Sequence, residues 1–236
     1  MNDKIWNKKC IISPSLICLD MLHLEDQIRQ LENNGIEMLH VDILDGHFSP
    51  SMPLGFETLM QVRKITDLPF ECHVMVEDPQ YFVDELLRIG VQQITFHQET
   101  APHVDGLINH IHNAGVRAGL ALKPSTHLSV LEYELEKCDS VLLMQINPGY
   151  ASSKGESAVP YSYRKIKELR KMINDRGLNT KIIIDGRVSF QNIEDFGKDT
   201  VDIFVGGTTC VSKNDIPGTV GRVMELRKKV LGGKDE

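Results

Sequence analysis

His40-Val41-Asp42-Ile43-Leu44-Asp45-Gly46-His47-Phe48 follows a short apolar run, Ile36 to Leu39, and reads as the end of a buried strand entering a loop. Side chains alternate faces along a strand, so His40 and Asp42 share one face. An imidazole and a carboxylate offered to the same space are half of a metal site. By itself the stretch also fits a hydrogen-bonded core histidine beside a helix-capping aspartate. The rest of the chain has to decide between the two.

Outward from this stretch one pattern repeats. Short β-rich apolar runs occur at Cys10–Ile17, Met38–Leu44, Phe70–Val76, Gln93–His97, Ala118–Leu122, Ser140–Ile146, Lys181–Ile184 and Val201–Val205. Segments of helical spacing lie between them, as in Leu24, Ile28 and Leu31, in Phe82, Leu86 and Ile89, and in Ile166, Leu169 and Ile173. Gly35, Gly90, Gly115, Gly177 and Gly197 are placed to end helices in the left-handed conformation. The tail after Leu231 is expected to fray. Alternating strands and helices imply parallel pairing through right-handed crossovers. An open doubly wound sheet and a closed barrel both satisfy that pattern. Eight strands, the length, and no GxGxxG after the first strand favour an α/β fold of the (β/α)8 TIM-barrel type, one domain over residues 1–236.

Composition narrows the function. The chain has 236 residues, 41% hydrophobic and 25% charged, as in ordinary globular proteins. A net charge of -7 and no basic block argue against nucleic acid as a partner. No apolar run has membrane-spanning length and the first residues lack a signal-peptide core, so a cytoplasmic protein is expected. Five widely spaced cysteines without a CxxC read as reduced thiols, mostly core filler.

In a barrel, chemistry belongs at the C-terminal strand ends. The candidates there are Ser13 and Ser15, then His40 and Asp42, then His73 and Met75, then His97, and finally Asp185. The strand interiors read as Ile, Leu and Val. Two histidines and two aspartates from three strands could converge on one ion, and such a set suits zinc, iron(II), cobalt(II) or manganese(II). Cys72 points to the face opposite His73. Asn147-Pro-Gly-Tyr, Asp185-Gly186 and Gly206-Gly-Thr-Thr209 each open towards a following segment, where backbone N–H groups can cradle a phosphate. Any one of these loops could instead be an ordinary turn.

Ser13-Pro-Ser-Leu, the His40–Phe48 stretch, Cys72-His-Val-Met, Met144-Gln-Ile-Asn-Pro-Gly-Tyr and Ile184-Asp-Gly resemble the ribulose-phosphate 3-epimerase family, in order, from about Ile11 to about Leu231. The resemblance implies a (β/α)8 barrel that holds one divalent metal ion, zinc or iron(II) first, and inverts carbon 3 of a ketose phosphate. It implies metal ligands His40, Asp42, His73 and Asp185, with Asp42 and Asp185 as the two acid/bases. It implies a substrate contact from Ser15 and phosphate contacts from Gly149, Gly186, Gly207 and Thr208, and His73, Met75, Met144 and Arg187 are further candidates for touching the substrate. A homo-oligomer is the expectation carried with it.

Those residue types suit the reaction. Inverting a carbon α to a carbonyl needs a proton removed from one face and another delivered to the opposite face, which two carboxylates can do. Met75 and Met144 fit an apolar wall, and fit plain core packing as well. The chain also departs from the family pattern. Leu44 stands where methionine is usual, Ser51 and Lys123 where asparagine is usual, Gln145 for a serine, and Arg187 for the second glycine of Asp-Gly-Gly. The segment Ala151-Ser-Ser-Lys-Gly-Glu-Ser-Ala158 also differs from the family and is longer. An intact metal set with a changed rim keeps the reaction class and leaves the sugar open: ribulose 5-phosphate, a hexulose phosphate such as allulose 6-phosphate, or another ketose phosphate. Arg187 and Lys123 are candidate rim cations or else plain surface charges. An orotidine-phosphate-decarboxylase-like barrel needs an Asp-x-Lys-x-x-Asp array, and Ile43 and Leu44 offer no lysine. A silent phosphate-binding barrel is disfavoured because two converging aspartates repel without a cation.

Overall fold

A computed structural model describes residues 3–149 and 155–233. Eight parallel strands form one sheet: β1 (Ile11–Pro14), β2 (Leu39–Leu44), β3 (Phe70–Met75), β4 (Gln93–His97), β5 (Arg117–Leu122), β6 (Ser140–Met144), β7 (Lys181–Asp185) and β8 (Ile203–Gly206). The sheet order is β1-β8-β7-β6-β5-β4-β3-β2. A parallel bridge between Ser15 and His40 joins β1 to β2 and brings the ring round to closure. This is the (β/α)8 barrel that the spacing predicts.

The helices are α1 (Asp3–Trp6), α2 (Leu24–Asn33), α3 (Phe56–Ile65), α4 (Pro79–Ile89), α5 (Val104–Asn113), α6 (Ser162–Asp175), α7 (Phe190–Phe196) and α8 (Ile216–Val230). The β5-to-β6 crossover uses two short 3-10 turns, Leu128–Leu131 and Leu135–Lys137. Local chemistry fixes the helix ends. The Asp78 side chain caps α4 with Pro79 in its first turn, Ser189 and Asn192 form a capping box on α7, and Asp215 caps α8. Gly35, Gly90, Gly115 and Gly177 adopt positive φ as expected. Gly197 does not: its φ is -66. Glycine is needed there for room, because a Cβ would sit 2.6 Å from the Ile193 carbonyl oxygen and 2.8 Å from Cys10 Sγ. Residues 234–236, most of the tail expected to fray, lie outside the described residues.

Alternation along the strands sorts the side chains. Val41, Ile43, Cys72, Val74, Ile94, Phe96, Leu120 and Leu122 pack outward in the layer under the helices. Inside the ring, Ile11, Ile183, Ile203, Val205 and Leu142 pack together, and Trp6 of α1 joins them. The rest of the interior differs from the Ile, Leu and Val expected. Glu71, Gln93, Thr95 and Ser140 are all fully buried. Gln93 Nε2 donates to Ser140 Oγ at 2.6 Å, and Thr95 Oγ1 lies 3.3 Å from Glu71 Oε1. Gly119 makes space for this group, since a Cβ there would stand 2.4 Å from Ser140 Oγ and 2.7 Å from Thr95 Oγ1. The physical reason is pairing. A polar side chain can be buried when its hydrogen bonds are met by other buried groups, so the interior need not be apolar on every strand.

Candidate active site

The C-terminal strand ends surround a cavity of about 550 Å³. Ser15 follows β1, Asp42 lies near the end of β2, Met75 ends β3 and Met144 ends β6. Asp185 ends β7, with Gly186 and Arg187 beside it, and Gly207 and Thr208 follow β8. Gly149, from the loop after β6, completes the wall. Tyr150 and residues 151–154, part of the departing segment, lie outside the described residues. His40 and His73 are fully buried beside the cavity.

One ligand atom from each of His40, Asp42, His73 and Asp185 lies within 4.8 Å of all the others. His40 Nε2 is 3.2 Å from Asp42 Oδ1 and 3.9 Å from Asp185 Oδ2. His73 Nδ1 is 3.8 Å from Asp42 Oδ1 and 3.4 Å from Asp185 Oδ2. Ligands at zinc-like bond lengths around a tetrahedral ion stand about 3.3–3.4 Å apart. His73 Nδ1 is buried and has no hydrogen-bond partner among the described residues, although it faces two carboxylates. An orphaned ring nitrogen aimed at two carboxylate oxygens fits a missing cation. These four residues could therefore hold a divalent ion.

The electrostatics agree. Burial works against a charged His40, but the carboxylates of Glu71 and Asp42 on either side raise its pKa well above the usual imidazole range. Burial also raises Asp42, yet His40, His73 and the Ser15 hydroxyl hold it below the ordinary carboxylate value. Ser15 Oγ donates to Asp42 Oδ2 at 2.5 Å. A pocket that favours a proton on His40 this strongly favours any positive charge in the same place.

Behind the histidines stand groups of which the sequence reading singled out only His97. His40 Nδ1 meets Glu71 Oε2 at 2.5 Å. His73 Nε2 is 3.0 Å from His97 Nε2, and His97 Nδ1 is 3.0 Å from Glu99 Oε2. Burial depresses His97 to about 4. Burial would raise Glu99, but hydrogen bonds from His97, Thr126 and the Lys123 N–H bring it down to about 2. A signal for Glu71 was present: it lies two residues before His73, hence on the same face, and pairs in register with His40. Cys18 and Lys213 also line the cavity. Burial, with Asp42 and Asp185 nearby, pushes the Cys18 thiol up to about 11, which makes it a poor nucleophile.

The two proposed rim cations part company. Arg187 lines the cavity and its Nε donates to the Glu156 carbonyl at 3.1 Å. Lys123 places its ammonium 4.0 Å from the Phe48 ring centroid and does not line the cavity. Gln145 is buried, with Nε2 donating to the Gly186 carbonyl at 3.2 Å, and so supports the loop from behind.

The model of the ribulose-phosphate 3 epimerase family matches residues 11–211. A ribulose-phosphate 3-epimerase of Methanocaldococcus jannaschii is 33% identical over 220 residues, covering 93% of this chain and 92% of that protein. The ribulose-phosphate 3-epimerase of Escherichia coli K12 is 30% identical over 224 residues, covering 94% and 98%. Among solved structures, the 3-keto-L-gulonate-6-phosphate decarboxylase of Vibrio cholerae superposes with a TM-score of 0.69 at 9% identity, over 94% of this chain and 99% of that one. That last likeness concerns the fold alone.

Proposed function

The chain belongs to the ribulose-phosphate 3-epimerase family, and from that premise we propose that it is a single-domain isomerase inverting carbon 3 of a ketose phosphate, with ribulose 5-phosphate the first candidate. The relatives' names favour that pentulose. The changed rim keeps allulose 6-phosphate as the alternative, and a panel of ketose phosphates assayed for epimerisation separates the two.

The observation that carries the reading is the pair Asp42 and Asp185. They come from β2 and β7, and both line the same cavity. In this reading the sugar lies with carbon 3 between the two carboxylates. One takes the proton from carbon 3, and the electron pair left behind is delocalised onto the neighbouring carbonyl. The other, in its acid form, returns a proton to the opposite face, and the configuration inverts. The Ser15 hydroxyl fixes the Asp42 carboxylate through the bond to Oδ2. Met75 and Met144 keep water from the deprotonated sugar. The backbone of Gly149, Gly186, Gly207 and Thr208 cradles the phosphate, with Arg187 at its edge. A divalent ion held by His40, Asp42, His73 and Asp185 would supply positive charge that raises the acidity of the substrate C–H bond.

Heavy water tests the two-base assignment. One epimer is incubated with the intact enzyme in deuterium oxide and the reaction is stopped at low conversion. The carboxylate that returns the proton was last charged from solvent. Early product should therefore carry deuterium at carbon 3 while unreacted substrate stays largely unlabelled. Early product that retains the original hydrogen would mean one base carrying it between faces, and the opposed roles of Asp42 and Asp185 would be dropped.

A further inference from the structure

His97 is fully buried at the end of β4 and does not line the cavity. Its two ring nitrogens nevertheless join a continuous hydrogen-bonded path from Glu99 to His73.

The path starts at Glu99. Its Oε1 accepts from the Lys123 backbone N–H at 2.8 Å and from the Thr126 hydroxyl. Both neighbours arrive as donors, so the carboxylate serves as an acceptor throughout. Its Oε2, 3.0 Å from His97 Nδ1, therefore takes a proton from that nitrogen. The His97 ring lies tilted against Phe48, centroids 4.7 Å apart, and the Lys123 ammonium stands over the same Phe48 ring. In a neutral imidazole one ring nitrogen donates and the other accepts, and His97 Nδ1 is the donor here. Its Nε2 thus keeps a lone pair. The contact between His97 Nε2 and His73 Nε2, at 3.0 Å, needs one proton, and only His73 can supply it. With Nε2 of His73 committed as donor, Nδ1 is the nitrogen that faces Asp42 and Asp185 with a lone pair to give.

We infer that His97 and Glu99 are positioning residues for the reaction, a buried imidazole and a partly exposed carboxylate in series that commit His73 to presenting Nδ1 to a divalent cation. The inference rests on reading His73 as a ligand. His40 is served more directly, by one carboxylate, Glu71. Outer carboxylates of this kind set the tautomer of a ligating histidine and raise its basicity. The second imidazole extends that reach by one ring, because the fold places Glu99 on the loop after β4 rather than beside β3.

Two measurements on the full chain test this. Nitrogen-15 spectra of histidine-labelled, metal-free protein in mildly alkaline buffer report which ring nitrogens carry protons, and His97→Phe identifies the His97 signals by their loss. A proton on His97 Nδ1, none on His97 Nε2 and one on His73 Nε2 are expected. A proton on His97 Nε2 overturns the proposal, and the wild type alone decides this. In competition with a chromophoric chelator, His97→Phe and Glu99→Gln should each weaken Zn2+ binding by about 10–100-fold. Variants that match a Zn2+-binding wild type overturn the proposal alone. A wild type that takes up no Zn2+ overturns the cation reading beneath it.

Discussion

Replacing Gly186 with alanine should damage the protein in two separable ways. Gly186 follows Asp185 with φ +91, and a Cβ there would lie 2.5 Å from Ile146 Cγ1 and 3.1 Å from the Ile146 backbone nitrogen. The left-handed backbone costs an L-residue about 1–2 kcal/mol. Forcing a methyl group against a packed side chain costs about 1–3 kcal/mol more, giving about 2–5 kcal/mol in all. For a chain of this size that lowers Tm by about 4–20 °C. Gly90 supplies the control. Its φ is +83, yet no atom lies within 4 Å of a Cβ built there, so Gly90→Ala carries the backbone cost without the collision. Any gain from a stiffer unfolded chain applies to both variants and cancels in the difference. Denaturant unfolding of the two variants, read with far-UV circular dichroism, should show Gly186→Ala the less stable by about 1–3 kcal/mol. Relief of the collision must move either Ile146 or Gly186, whose N–H donates to Asp185 Oδ1 at 2.6 Å, so kcat/KM should fall in this variant and hold in Gly90→Ala. A Gly186→Ala protein as stable as Gly90→Ala would refute the packing argument.

Wild-type protein should carry about one divalent ion per chain by metal analysis, and His73→Ala should lose most of it; full occupancy in that variant would remove His73 from the ligand set. Arg187 holds φ +56, where glycine is at ease, so Arg187→Gly should cost little stability in thermal unfolding while raising KM by about tenfold or more, the worth of a charge-assisted hydrogen bond to the substrate anion. An unchanged KM on the true substrate would return Arg187 to a solvated role. The Glu99 carboxyl lies at about 2 against an ordinary 4.5, so its contribution, about 1–2 kcal/mol after screening by solvent, is present above pH 4.5 and lost as pH falls from there towards 2. Unfolding measured across that window should show a shallower acid loss in Glu99→Gln than in wild type, and parallel curves would contradict the assignment.

Much of this was legible in the chain. Period-two alternation in His40-Val-Asp and Cys72-His-Val is local, and burial on both faces of a parallel strand enforces it, so placing His40, Asp42 and His73 inside the ring follows from sequence alone. The glycine loops were legible for the same reason, since Gly149 and Gly186 hold positive φ. Glu71 was legible by its face, two residues before His73, but its partner was not, and nothing in the loop after β4 marked Glu99. A glutamate inside a strand carries no mark of the partner that makes its burial tolerable, and the partner of Glu71, His40, comes from another strand. Gly197 misled in the opposite sense. Its position after a helix suggested backbone freedom, but its reason is the approach of Cys10, 187 residues earlier in the chain.

The closing bridge between Ser15 and His40 has a mechanical consequence. Every other pair of neighbouring strands shares a ladder, so β1 and β2 form the joint at which the ring is weakest. The Ser15–Asp42 bond crosses the same joint, and both of its β2 anchors belong to the proposed ligand set. An ion held between β2 and β7 would tie the two sides of the gap together through its coordination bonds, as a clasp closes a hoop. Loading the protein should then slow amide exchange at Ser15 and His40 more than at the ladders opposite, around β4 and β5. The apo barrel would breathe beside the cavity, at Ser15 and Asp42.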